Sequence, residues 1–237
     1  MQSGLEILSW SFWSPETRDP AKWAAAIADA TTAAPVPDRS IPPLHRRRMS
    51  TLSKMAVGLA LEVTAAEPAD FLVFCSQHGE LKRTQELLKS IVAGTELSPA
   101  GFSQSVHNAS AGLYTIIQSS RAPATSLAAG AGTFAYGWLE AEAHVAEQPG
   151  KRVLLVSYDE PVPDEYRPYS KQTERAHALA LVLGAAQRDG LTLVSSAARE
   201  EERRPIAPLF MAWVLSAAPA FEVTAGGQGW VWRRAGP

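Results

Sequence analysis

The residues able to do chemistry fall into three short clusters. The first is Gly130-Ala131-Gly132-Thr133-Phe134-Ala135, which fits G-x-G-x-x-A. Glycines at these spacings let a strand turn tightly into a helix and let a diphosphate approach the backbone. Asp159 and Glu160 close the next strand, where an acid could bind a ribose. Read this way, the chain is a nucleotide-binding oxidoreductase using Gly130, Gly132 and Asp159. The same glycines serve equally as a plain strand-to-helix turn. The second cluster is Cys75-Ser76-Gln77-His78, with C-x-x-H spacing. Zinc needs three or four protein ligands, and the chain has no second cysteine. His45, His107, His144 and His177 form no paired spacing, so no metal site is expected. The third cluster holds Ser103, Ser105, His107 and Asn108. On a helix, Ser103 and His107 face each other at i,i+4. Ser103 or Cys75 would be the nucleophile of an autonomous acyltransferase. No G-x-S-x-G elbow accompanies them. The small residues Ser110, Ala111 and Gly112 suit close approach of two backbones equally well.

His45-Arg46-Arg47-Arg48 is a basic run before a helix. It reads as a solvated helix start or as a contact for an anionic partner, since arginine binds carboxylate and phosphate well. The whole chain is not basic. Its 237 residues carry 22 Lys and Arg against 24 Asp and Glu, a net charge of −2. That excludes a dominant electrostatic footprint for nucleic acid or an anionic membrane. One cysteine allows no intrachain disulfide. No apolar run approaches the roughly 18–20 residues of a membrane span. The first residues lack the cationic start and apolar core of a signal peptide. The expectation is a cytoplasmic protein with no membrane span.

The elements that must hold these residues alternate along the chain. Residues 5–13 suit a strand, and Asp19-Pro20 opens a helix with Trp23, Ile27 and Ala30 at helical spacing. Prolines 35, 37, 42 and 43 make 31–43 a loop. A helix over 48–62 puts Met49, Leu52, Met55, Leu59 and Val63 on one face, with Ser50, Ser53 and Lys54 off it. The apolar run 70–75 reads as a buried strand. A helix follows, with Leu81, Leu88 and Ile91 inward and Gly94 as its stop. Ser98-Pro99 opens another helix, running to about 117. Then come a strand at 125–129, a helix over 132–147 with Phe134, Trp138, Ala141 and Val145 on one face, and a strand at 152–158. A polar loop leads to strands at 176–183 and 191–195, joined by a turn at Asp189-Gly190. A helix over 209–215 and a strand over 221–234 with a glycine-rich bend complete the chain. The order β-α-α-β-α-α-β-α-β-β-β through residue 195 implies an α/β fold, a mostly parallel mixed sheet covered by helices, in one domain spanning 1–237.

Several segments, in order, resemble the short β-ketoacyl synthase-like N-terminal domain family. They are IPPLHRRRMSTLSKMA, CSQHGELKRTQELL, FSQSVHNASAGLYT, SLAAGAGTFAYGWLEA, VLLVSYDE and WVWRR. The resemblance implies a thiolase-like fold, half of a ketosynthase. It also implies a chain-length-factor-like subunit of aryl polyene or xanthomonadin-type pathways. The partner would be a full-length β-ketoacyl synthase in a heterodimer, with acyl carrier protein met indirectly and no cofactor. The family's nucleophile pattern is roughly C-x-S-G-x-x-A-x-G, and residues 129–137 match it with Ala129 where the cysteine stands. A methyl group cannot attack a thioester, so the resemblance implies no catalysis. In the thiolase fold the strand before the nucleophile pairs across a two-fold axis. Here that strand is Thr125, Ser126, Leu127 and Ala128, with Ser103 and His107 as further contacts. Phe102, Phe134, Tyr136 and Trp138 are the candidates to wall the acyl tunnel, or else to pack a core.

Overall fold

The computed structural model describes residues 4–25, 34–170, 175–187 and 190–234. β1 (Leu5–Trp13) leads to α1 (Pro20–Ala24), whose cap Asp19 accepts from the N–H groups of Ala21 and Lys22. Ile27 and Ala30 lie outside the described residues. The proline-rich stretch is not all loop: Pro43 opens the one-turn α2 (Pro43–Arg46), because a first helical turn has no donor to lose there. α3 (Thr51–Val63) is capped by Ser50, whose hydroxyl accepts from Ser53 N at 2.9 Å. β2 (Phe71–Cys75), α4 (Leu81–Val92), α5 (Pro99–Ser103), α6 (Ala109–Gln118), β3 (Ala124–Leu127), α7 (Thr133–Glu147) and β4 (Val153–Asp159) follow. A 3-10 segment at Asp164–Tyr169 precedes β5 (His177–Ala185) and β6 (Leu191–Ser196). α8 (Ile206–Val214) and the hairpin of β7 (Ala220–Ala225) and β8 (Gln228–Arg234) complete the fold. Gly226 and Gly227 turn that hairpin with φ of 66° and 75°, a conformation other residues rarely adopt.

The eight strands form one sheet in the order β3-β2-β4-β5-β1-β6-β8-β7. Only β2–β3 and β2–β4 are parallel; β4–β5, β5–β1, β1–β6, β6–β8 and β8–β7 are antiparallel. The expected mostly parallel sheet is therefore corrected to a mostly antiparallel one. Helical crossovers enforce parallel pairing only where a helix links the strands. β4 and β5 are joined without an α-helix, and β7 and β8 by a tight turn. β5 and β6 are not a hairpin either, since β1 lies between them. β5 ends beside the start of β1, where Ala186 N donates to Gly4 O at 3.0 Å, and Asp189 of the expected turn lies outside the described residues. β1 touches β6 in the ladder only at Leu5–Leu191.

Each face of the sheet carries a core. Leu72, Phe74, Leu154 and Val156 face α3 and α6, whereas Val73, Cys75 and Leu155 face α7 and α8. Alternating side chains with both faces covered explain why β2 and β4 read as unbroken apolar runs. Trp230 and Trp232 of β8 also pack on the α7 side. Phe134, Trp138, Phe210 and Trp232 form one aromatic cluster, with ring centroids 5.0–6.5 Å apart.

Two helices depart from expectation. The helix read from 98 to 117 breaks at 104–108. Ser103 and Ser105 hydroxyls donate back to Ala100 O and Phe102 O, competing with the helical ladder. α4 buries none of its residues; Leu88 and Ile91 are 49% and 57% exposed rather than inward.

Candidate functional site

The turn from β3 into α7 carries the glycine pattern. Gly130 has φ of 55°, so the left-handed conformation explains that glycine. Thr133 Oγ1 accepts from Ala129 N at 2.9 Å and donates to Gly130 O at 2.6 Å, and Gly132 N donates to Ala129 O. The bend is thus fixed by its own backbone. Ala129 sits half-buried just ahead of a 15-residue helix, in the partial positive field of the helix start. One turn into α7, a Cβ on Gly137 would fall 2.9 Å from Cys75 Sγ. Glycine there lets α7 lie directly on β2 and seals Cys75 beneath it.

That seal settles the lone thiol. Cys75 is fully buried, and desolvation pushes its pKa far up. A protonated, inaccessible thiol is not a nucleophile. Ser103 and His107 do not meet as a pair either. Ser103 Oγ is committed to Ala100 O, whereas the His107 ring Nε2 lies 2.8 Å from Ser76 O. The broken helix separates them, so the acyltransferase pair is not assembled. Asp159 is likewise committed: it accepts from Ser76 Oγ at 2.8 Å, Gln77 N at 3.0 Å and His78 N at 3.2 Å. It organises the loop at the carboxyl end of β2 instead of standing free for a ribose. Among the described residues no group of three or more His, Cys, Asp or Glu could hold a metal ion.

Sequence reasoning missed two polar features of this end of the sheet. Glu80, buried, accepts from Ser50 Oγ and Ser53 Oγ, each at 2.6 Å, and Ser53 Oγ lies 3.1 Å from Ser110 Oγ. Ser53, expected off the packed face, is buried for this reason. His177 is 2% exposed and pairs across the ladder with Asp159. Its Nδ1 lies 3.0 Å from Arg175 O, and burial lowers its pKa. With Asp159, Ser157 and Thr133 it lines a partly open pocket of about 40 Å³, next to the Gly130 turn and large enough for water.

β3 lies at the sheet edge. Leu72 N donates to Pro123 O and Ser76 N to Leu127 O, so residues 123, 125 and 127 face β2 in the ladder. The backbone groups of Ala124, Ser126 and Ala128 therefore point to the open side. Thr125 Oγ1 donates to Glu140 on α7, and Leu127 packs partly against the α7 core. Ile116 on α6 and Tyr136 and Leu139 on α7 are exposed apolar residues, and the Tyr136 ring lies edge-on to Trp230 of β8. Of the four aromatic candidates, Phe134 and Trp138 are core residues of the aromatic cluster, whereas Phe102 and Tyr136 are exposed.

A mixed sheet with α3 and α6 on one face, α7 on the other and a glycine turn at the edge is the thiolase-like fold of ketosynthases. The family profile described as beta-ketoacyl synthase, N-terminal domain, matches residues 18–233, and the chain belongs to that family. Among solved structures it is similar to a chain of the ketosynthase ApeO in complex with its chain length factor ApeC from Xenorhabdus doucetiae. That match has a TM-score of 0.86 and 27% identity and covers 98% of this chain and 99% of that one. It also resembles the ishigamide ketosynthase/chain length factor, with a TM-score of 0.61 and 18% identity, covering 81% of this chain and 67% of that one. A type II polyketide acyl-carrier protein in complex with its ketosynthase matches at a TM-score of 0.64 and 10% identity, over 99% of this chain and 100% of that one. The last two likenesses are of fold alone. No curated protein matches the chain. No helix among the described residues is long and apolar enough to cross a membrane.

Proposed function

We propose that this chain, a single domain over 1–237, is a non-catalytic chain-length-factor-like subunit. It pairs with a full-length β-ketoacyl-acyl carrier protein synthase in the cytoplasm and shapes that enzyme's acyl tunnel in aryl polyene-type synthesis. The observation that carries this reading is the end-to-end match, at 27% identity, with a chain from a ketosynthase bound to its chain length factor. Ala129 supports it, occupying the nucleophile position with a side chain that has no reactive atom. The burial of Cys75 supports it too, since no other thiol could take over.

The division of labour follows from these groups. The partner supplies the cysteine that attacks the thioester. This chain supplies an edge: β3 offers the donors and acceptors of Ser126 and its outward neighbours to the matching strand of the partner. Ile116, Tyr136 and Leu139, exposed apolar residues of α6 and α7, are read as closing over that junction, and Phe102 and Tyr136 as walling the tunnel. Ser103 and His107 are read as further contacts of the partner. Acyl carrier protein meets the assembly through the chemistry of the partner. The test is co-expression with a ketosynthase encoded beside this chain. Co-purification at equal stoichiometry is expected, with condensation by the pair and none by this chain alone. Separate elution of the two proteins, or malonyl condensation by this chain alone, would overturn the reading.

A further inference from the structure

Acyl transfer needs two kinds of group at one place. A nucleophile attacks the carbonyl carbon, and N–H groups hold the oxygen on which negative charge gathers. The nucleophile's own amide is a common donor. In this chain that amide is Ala129 N, and it is taken. Thr133 Oγ1 accepts from it at 2.9 Å and donates to Gly130 O at 2.6 Å. Thr133 is buried, which shields the pair from competing water. The bend has other bonds of its own. Gly130 O also accepts from Thr133 N at 3.1 Å, and Gly132 N donates to Ala129 O at 3.2 Å. Neighbours hold it as well. A Cβ on Gly132 would fall 3.3 Å from the Tyr136 ring, which lies edge-on to Trp230. The β7–β8 turn meets the same bend: a Cβ on Gly226 would fall 3.4 Å from Gly132 N, and Glu201 accepts from Gly226 N at 2.5 Å. The Thr133 hydroxyl is thus an addition to a bend already closed, aimed at one N–H.

We propose that Thr133 is a second block on acyl transfer, separate from the missing thiol: its hydroxyl occupies the amide that would hold the oxyanion. The inference rests on the reading of Ala129 as the nucleophile position and deepens it. A thiol restored at position 129 would then be a nucleophile without its oxyanion donor. The site is shut at the donor as well as at the attacking atom.

The test compares two reactions of one introduced thiol. Ala129→Cys is treated with hexanoyl-N-acetylcysteamine, a simple acyl thioester. The thiolate attacks the carbonyl carbon, a new thioester bond forms, the C–S bond of the reagent breaks, and N-acetylcysteamine leaves and takes up a proton. Iodoacetamide alkylates the same thiolate without forming an oxyanion, so it reports exposure and thiolate content alone. The readout is the ratio of acylation rate to alkylation rate at position 129, by peptide mass spectrometry. Adding Thr133→Val keeps the shape and removes the hydroxyl, and should raise that ratio about tenfold or more, as one freed oxyanion donor does. Adding Thr133→Ser keeps the hydroxyl and should leave the ratio within about twofold of Ala129→Cys alone. Equal ratios with valine and threonine would overturn the proposal, and so would the same rise with serine. A second measurement needs no variant. In wild type the Ala129 amide should exchange its hydrogen about 100-fold or more slowly than in an unstructured peptide. Exchange at the peptide rate would also overturn the proposal. Malonyl condensation by wild type alone would remove the proposed function, while the ratio would still measure what Thr133 does.

Discussion

At the residue scale the chain turns on two positions one helix start apart. Cys75 carries a thiol that the protein hides, and Ala129 stands half-exposed with nothing to offer. A thiol reagent should leave native protein unmodified and label Cys75 only as the chain unfolds. Ala129→Cys, placed at the start of α7, should be alkylated in the native state at least tenfold faster than Cys75, read by mass spectrometry; equal rates would contradict the burial. Glu80 makes a separate case. Replacing it by alanine strands Ser50 and Ser53, and losing two charge-assisted hydrogen bonds should cost roughly 2–3 kcal/mol in urea unfolding. His177 gives the pH dependence. Its folded pKa lies below the ordinary 6.5, so the unfolded chain binds the proton more readily. Its contribution is complete above pH 6.5 and is lost as pH falls from 6.5 toward the depressed folded value. His177→Gln should flatten the stability profile in that window, measured by urea midpoints at successive pH values.

At the element scale the proposed interface at the open strand β3 can be tested. A charge at Leu127 would disturb the α7 core as well as any partner, because that side chain points inward. Ser126→Pro is the cleaner variant: it deletes an outward N–H and leaves the ladder to β2 untouched. It should abolish co-purification with the ketosynthase while the melting curve stays within a few degrees of wild type. An unchanged complex would remove β3 from the interface. Elements with strong local signals were legible in the sequence. The unbroken apolar runs of β2 and β4, the helix openings at Asp19 and Ser98, and the stop at Gly94 all lie where their chemistry put them, whereas the Ser50 cap starts α3 three residues later than the expected 48. Pairing direction was not legible, because a local pattern does not say which strand lies alongside: β1 divides β5 from β6 across nearly the whole sequence. The amphipathic pattern of α4 shows which side of a helix is apolar, not whether this chain covers it. The break between α5 and α6 came from serine hydroxyls that capture carbonyls, a competition hidden within a helical spacing. At the site, the turn at Gly130 was readable, but the commitment of Asp159 to residues 76–78 and the Glu80 network join segments far apart in the sequence.

At the scale of the whole molecule, α7 is the centre. One side rests on β2 and β4, and the other is covered by α8 and the hairpin of β7 and β8. Trp232 is fully buried among Phe134, Trp138, Phe210 and Phe221. Its replacement by alanine should cost roughly 3–5 kcal/mol. Removing residues 219–237 should uncover the helix and give protein that binds a hydrophobic dye and melts without cooperativity; a sharp melt after that truncation would show that the covering layer is dispensable. The open flank of β3 has a consequence for gene dosage. An unmated strand accepts whatever strand arrives first, including that of an identical twin. When this polypeptide is made in excess over its intended companion, the surplus is drawn into self-paired, idle dimers, so output of the finished product should track the balance of synthesis between the two genes more closely than the amount of either.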